Sequence, residues 1–310
     1  MRLLEPLLDF FLPAACLGCG ARMVPEESDR VWCGRCGPRL RPPPAPGCPR
    51  CQAPLGTGAR REATCRECAP WPPELVGAGA AVAMKGPAHR LVHALKYDGW
   101  PEVAPALAER MVPVARGLLP RLTPGSFESS EREGEAPMGP PVTRGRPPVI
   151  PVPTTASRER ERGYNQAALL ARYVADALDL PLQHVLERRE EGRTQVALNP
   201  SARRANVRQA FRYIGGQRSP VPGAALLVDD VLTTGATAEA AAQALAEGGI
   251  QRVALLTFAR SLPEPAPGND VAEDPEALGE LLDPVLPAAW QGRADADGTR
   301  RSDAHSYPRN

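Results

Sequence analysis

Ala225-Leu226-Leu227-Val228-Asp229-Asp230-Val231-Leu232-Thr233-Thr234-Gly235-Ala236-Thr237 decides how this chain is read, because it joins an apolar run to an alanine-rich one through two aspartates and a small-residue loop. Ala225 to Val228 have the length and Val/Leu content of a strand covered on both faces. Asp229 and Asp230 then fall at its carboxyl end, where open α/β sheets bind ligands. Thr233, Thr234, Gly235, Ala236 and Thr237 are small enough for backbone N–H groups to close around a phosphate. The run from Ala238 to Ala246 predicts a helix whose N-terminus points orphan N–H groups and a positive dipole end at that anion. Two carboxylates beside a phosphate repel it unless they face something else, which assigns Asp229 and Asp230 to ribose hydroxyls and a Mg²⁺ shell. An ordinary strand, turn and helix needs one capping hydroxyl and explains neither the paired aspartates nor Thr-Thr-Gly.

The stretch resembles the PRPP-binding motif of type I phosphoribosyltransferases, apolar residues followed by D-D-x-x-T-T-G-x-T, with the 5′-phosphate in the Thr233 to Thr237 loop. Val149 to Pro153 predicts another short strand, followed by a basic loop, Thr154-Thr155-Ala156-Ser157-Arg158-Glu159-Arg160-Glu161-Arg162-Gly163, and a helix opening at Tyr164-Asn165-Gln166. Thr154, Ser157, Arg158, Arg160, Arg162 and Gly163 offer the amides and cations that a departing pyrophosphate needs as its charge develops. The alternating Arg and Glu also suit a solvated surface. Rival nucleotide motifs are missing: no G-x-x-x-x-G-K-[ST] occurs, and Gly77-Ala78-Gly79-Ala80-Ala81-Val82 lacks the third glycine of a dinucleotide fingerprint. Kinase, ATPase and dehydrogenase readings are disfavoured.

At 310 residues the chain has room for two domains, and a net charge of +1 does not by itself call for nucleic acid. All eight cysteines fall between Cys16 and Cys68 as four C-x-x-C pairs, a metal pattern rather than a secreted disulfide framework, so the expected compartment is the cytoplasm. Leu3, Leu4, Leu7, Leu8 and Phe11 fall at helical spacing and predict a short amphipathic helix over residues 1–15. That segment ends in Pro-Ala-Ala-Cys16, yet Glu5, Pro6 and Asp9 interrupt it and Pro13 stands where a lipobox wants Leu, which disfavours a cleaved lipoprotein signal. No apolar run reaches the roughly 18 residues of a membrane span.

The pairs Cys16/Cys19 with Cys33/Cys36, and Cys48/Cys51 with Cys65/Cys68, are each separated by the same thirteen residues. Each C-x-x-C knuckle presents two thiolates from one tight turn, so two knuckles complete a closed, structural zinc site. Sequential pairing gives two zinc ribbons and alternating pairs give a cross-braced module; the equal internal spacing favours ribbons. Between Cys16 and Cys68 nine Arg face five acidic residues, a surplus that the charge of two four-thiolate zinc sites cancels. Trp32 reads either as a base-stacking ring or as part of the small core of a zinc module.

Taken together, Leu95-Lys96-Tyr97-x-Gly99, Pro151-Val152-Pro153, Arg160-x-Arg162-Gly163-Tyr164-Asn165-Gln166-Ala167, Arg193-Thr194-Gln195, Leu198, Arg203-x-x-Asn206-Val207 with Phe211, and the Asp229 to Thr237 motif resemble, in this order, the ComF family. That resemblance implies an N-terminal double zinc ribbon joined to a type I phosphoribosyltransferase fold, and a link to competence, to incoming single-stranded DNA and to the DNA-uptake machinery. It implies Mg²⁺ with PRPP, a transferase activity of unknown acceptor, and a hood carrying Arg193, Thr194, Gln195, Arg203 and Asn206. Arg203, Arg204 and Arg208 suit either pyrophosphate or DNA phosphates. Alternatives are a non-catalytic PRPP sensor or DNA-binding scaffold, or a phosphoribosyltransferase of nucleotide metabolism.

The expected organisation is an α/β fold with a parallel sheet. It comprises the helix at 1–15, a double zinc ribbon at 16–72, a phosphoribosyltransferase-like domain at 77–260 and a mostly disordered acidic tail at 261–310. Residues 121–148, rich in Pro, Gly, Ser and Glu, read as a disordered insertion. Strands are expected at Ala80 to Met84, Val149 to Val152, Ala225 to Asp229 and Val253 to Phe258. Helices are expected at Ala88 to Tyr97, Val103 to Leu118, Tyr164 to Leu178 and Ala238 to Gly248.

Overall fold

The computed structural model describes residues 14–24, 30–55, 65–123, 146–189, 210–215 and 223–262. Residues 1–13 of the expected amphipathic helix, residues 124–145 of the expected insertion, Arg193, Thr194, Gln195, Arg203, Arg204, Asn206 and Arg208, and the tail from 263 all lie outside them. Contacts divide the chain into two units. Among the described residues the first holds 14–16, 20–24 and Arg30. Its described part is a tight knuckle in which Cys16 N–H donates to Ala21 O and Gly20 N–H donates to Cys16 O, with Gly20 at φ 77°.

The second unit, Leu17–Cys19 and Val31–Pro263, holds the sheet. Its elements in chain order are β1 (Leu75–Ala83), α1 (Pro87–Lys96), α2 (Ala104–Leu118), β2 (Val149–Pro151), α3 (Ala156–Arg162), α4 (Gln166–Leu178), β3 (Leu186–Arg188), β4 (Phe211–Tyr213), β5 (Ala224–Leu232), α5 (Ala236–Glu247) and β6 (Arg252–Arg260). β1, β6, β5 and β2 lie side by side in that order, and every pair is parallel. β3 and β4 form a separate antiparallel pair. The expected α/β class with a parallel sheet is therefore present, with β5 an interior strand flanked by β6 and β2.

Alternation along β5 sorts the core into two layers. Leu226 and Val228 join the cluster built on Leu91, Leu95, Leu107, Met111 and Leu170 from α1, α2 and α4. Ala225 and Leu227 join the opposite cluster with Ala241 and Leu245 of α5. Cys48, Cys51, Cys68 and Trp71 belong to that second cluster, so the second cysteine set shares buried packing with the α5 face of the sheet.

Three of the expected segments depart from the sequence reading by more than two residues. β1 starts at Leu75, not Ala80, and takes in both glycines of Gly77-Ala78-Gly79. A Cβ on Gly79 would lie 2.5 Å from Val114 Cγ1, and one on Gly77 would lie 2.6 Å from Arg121 Nη1. These glycines let α2 and the turn after it approach the strand, a role in packing rather than in nucleotide binding. β5 runs past Asp229 to Leu232 because Val231 and Leu232 still pair with Ala259 and Arg260 of β6. Lastly, the basic segment read as a loop is largely the helix α3. Thr155 caps it by accepting a hydrogen bond from Arg158 N–H at 3.3 Å, and Gly163 ends it at φ 82°.

Candidate functional site

The end of β5 leads through Thr233, Thr234 and Gly235 directly into α5, whose first residues are Ala236 and Thr237. Gly235 is the N-cap at φ 84°, and no side chain of its own caps the helix. The nearest substitute is Thr234 Oγ1, which accepts from Ala236 N–H at 3.4 Å. A glycine in the left-handed region followed by a helix with exposed Ala236 leaves backbone N–H groups directed at solvent, the arrangement an anion takes up. Gly235 itself is buried beneath Trp71: a Cβ there would lie 2.6 Å from Trp71 Nε1.

Asp229 and Asp230 are consecutive on β5, so their side chains leave from opposite faces of the sheet. Asp230 is 3% exposed and faces the α1 layer, where Lys96 Nζ lies 2.9 Å from its Oδ1; its Oδ2 has no hydrogen-bond partner among the described residues. Asp229 accepts a hydrogen bond from Asp230 N–H at 2.8 Å. Burial, then the adjacent Asp230 carboxylate, push its pKa up to about 7, against that backbone hydrogen bond and the charges of Lys96 and Arg188. The pair thus splits into one carboxylate held by a cation and one poised near neutrality.

The C-terminal end of α1 reaches this site three times. Besides the Lys96 ion pair, Tyr164 Oη donates to Leu95 O at 2.7 Å, and the Arg162 guanidinium lies 4.9 Å from the Tyr97 ring centre. Arg162 also donates to Gln166 Oε1, whereas Arg158 and Arg160 are exposed. Asn165 fixes the turn between α3 and α4, donating to Val152 O and accepting from Ala167 N–H. Thr154 lines a cleft of about 740 Å³ between this turn and the β3/β4 pair, together with Glu159, His184, Arg188, Arg189 and Arg212. Thr154, Arg162 and Gly163 therefore flank the end of β2, and the Thr233 to Thr237 loop follows the neighbouring β5.

The sulfurs of Cys16, Cys19, Cys33 and Cys36 lie within 4.8 Å of one another, and so do those of Cys48, Cys51, Cys65 and Cys68. This is the sequential pairing of two ribbons. Sulfur separations of 3.7 Å for Cys48 with Cys68 and for Cys51 with Cys65, and 3.9 Å for Cys19 with Cys33, match the ~3.8 Å edge of a tetrahedron with zinc about 2.3 Å from each thiolate. Arg260, 1% exposed, supplies a second indication: Nη2 donates to Cys51 Sγ at 4.0 Å and to Glu67 Oε2 at 3.2 Å, while Nε and Nη1 have no partner among the described residues. A guanidinium buried beside four thiols fits a cluster that is anionic, as four thiolates around zinc are. These are two four-cysteine zinc-binding sites. Trp32, the ring with two readings, has Arg110 5.6 Å from its centre and packs against the core, which favours the structural one.

Sequence reasoning missed Trp71 and Arg260 entirely and had Lys96 only as a letter in a motif. Each acts across a long sequence separation, on Gly235, on Cys51 and Glu67, and on Asp230. Local pattern carries no trace of such pairings. Among the described residues no helix is long and apolar enough to cross a membrane.

The double zinc ribbon family model matches residues 7–69. The chain is similar to "Competence protein F" of Haemophilus influenzae, at 34% identity over 114 residues, 36% of this chain and 50% of that protein. It is also similar to "DNA utilization protein YhgH" of Salmonella typhimurium, at 29% identity over 217 residues, 69% of this chain and 84% of that protein. The Escherichia coli K12 protein of the same name is 27% identical over the same length. The chain thus spans half the length of the Haemophilus protein and most of that of the other two.

Proposed function

We propose that this chain is a ComF-like protein, that it binds Mg²⁺ and PRPP at the carboxyl end of its parallel sheet and that it acts in competence or DNA utilisation, as its relatives' names indicate. The observation that carries the reading is the junction of β5 and α5, a glycine-started helix N-terminus without a side-chain cap that follows directly on a strand bearing two carboxylates. In this reading the 5′-phosphate occupies the Thr233 to Thr237 loop. Asp230, already neutralised by Lys96, keeps Oδ2 for a ribose hydroxyl, and Asp229 is the carboxylate left for a hydrated cation. Mg²⁺ supplies charge neutralisation at the pyrophosphate. Thr154, Ser157, Arg158, Arg160 and Arg162 flank the path on which that group departs as an acceptor attacks C1′.

Differential scanning fluorimetry tests the binding step. Mg·PRPP should raise the melting temperature of the wild type, and Asp230→Asn combined with Thr234→Val should abolish the rise; an unchanged response in the double variant places the ligand elsewhere. Pyrophosphate release assayed with bases, amines and single-stranded DNA then separates a transferase from a PRPP sensor, since a sensor binds without turnover.

A further inference from the structure

We propose that Trp71, three residues beyond the last cysteine of the second zinc site, is a positioning residue of the anion loop, so that binding of a phosphomonoester there depends on a side chain held by the second ribbon. The inference rests on the phosphate reading of that loop. Trp71 is fixed at its base, because its backbone N–H donates to Cys68 O and because Arg50 donates to the carbonyls of Cys68, Pro72 and Leu75 while lying 5.7 Å from the indole centre. Its far end occupies the volume that any side chain at position 235 would need, with Nε1 and Cζ2 only 2.6 and 2.7 Å from a would-be Cβ. Gly235 therefore has two reasons to be glycine, its φ of 84° and the ring against it.

The indole N–H adds an observation independent of the helix N-terminus. Trp71 is 5% exposed, and its Nε1 is buried beside the loop with no hydrogen-bond partner among the described residues. Buried donors are nearly always satisfied, and an indole N–H with no acceptor among the described residues is explained if the loop's ligand provides one. Trp71 thus limits the loop's freedom by packing against Gly235. It is a positioning residue for the phosphomonoester and has no bearing on the group departing near α3.

Isothermal titration of the full chain with ribose 5-phosphate and, separately, with pyrophosphate tests this, with zinc content and circular dichroism recorded for each variant. Trp71→Ala should weaken ribose 5-phosphate by roughly tenfold and leave pyrophosphate within about twofold. Trp71→Phe keeps a ring against Gly235 and removes the N–H, and should lose about threefold on ribose 5-phosphate alone. If Trp71→Ala fails to hold zinc or to fold, Trp71→Phe decides. Wild-type affinity for ribose 5-phosphate in the folded variants, or a parallel loss for both ligands, overturns the role of Trp71. A wild-type protein that binds pyrophosphate but not ribose 5-phosphate overturns the phosphate reading of the loop itself, and the role of Trp71 with it.

Discussion

Lys96 Nζ lies 2.9 Å from Asp230 Oδ1, joining the last residue of α1 to an interior strand at a carboxylate whose side chain is only 5% exposed. Removing one partner of such a pair leaves an uncompensated charge. Lys96→Met should lower the unfolding free energy by about 2 kcal/mol, less than the ~3–5 kcal/mol of a fully buried pair because Lys96 retains some exposure. Adding Asp230→Asn should recover much of the loss in urea unfolding. A midpoint unmoved by Lys96→Met means the ion pair does not form in solution.

Asp229 carries a pH signature with a definite sign. Its pKa is raised from 3.8 to about 7, so the folded state keeps the proton that the unfolded chain gives up. Stability from this group is unaffected below about pH 4 and declines as pH rises to about 7, where the penalty is complete. Asp229→Asn should therefore raise the melting temperature near pH 8 and leave it unchanged near pH 4. A lower melting temperature for the variant near pH 8 contradicts the shift.

Arg260 places a buried guanidinium beside the second zinc site, against Cys51. Groups that touch metal ligands typically tune affinity by tenfold or more. With Arg260→Met, release of zinc from the second site to a chelating dye should become easier by roughly tenfold, the first site serving as the internal reference. Equal release from variant and wild type removes the guanidinium from the account of that site.

Gly79 tests the close approach of α2 to β1. Gly79→Ala puts a methyl group 2.5 Å from Val114 Cγ1 and should cost about 1–3 kcal/mol as overpacking. Val114→Ala in the same chain should relieve most of it, a positive coupling in a double-mutant cycle. Additive costs mean that the clash is absorbed elsewhere.

Single-stranded DNA is the partner most directly suggested by charge. Residues 153 to 218 contain twelve Arg against seven acidic residues, and Arg158 and Arg160 are exposed. Binding measured by fluorescence anisotropy should fall steeply with salt, and Arg158→Ala with Arg160→Ala should reduce the salt slope by about one for each phosphate that no longer meets an arginine. Binding that ignores salt leaves those arginines without a role in it.

The amino-acid sequence by itself determined whatever depends on residues near one another in the chain. Cysteine spacing of two and thirteen specified the eight ligands and favoured their sequential pairing, which the structure then showed. The apolar run ending in Asp229-Asp230 and the Thr-Thr-Gly after it specified a buried strand turning into a helix, because burial on two faces, a left-handed glycine and an uncapped helix start all leave their mark within a dozen positions. Tertiary structure alone decided which side chains face those features. Strand alternation sent Asp229 and Asp230 to opposite layers, which paired letters in a motif conceal. Lys96 reached Asp230, Trp71 covered Gly235 and Arg260 reached Cys51 because parallel strands, helices and the second ribbon converge at one end of the sheet. Pairings between residues more than a hundred positions apart have no periodicity to betray them, and a Thr155 hydroxyl placed to cap α3 outweighed a run of charges that otherwise reads as loop.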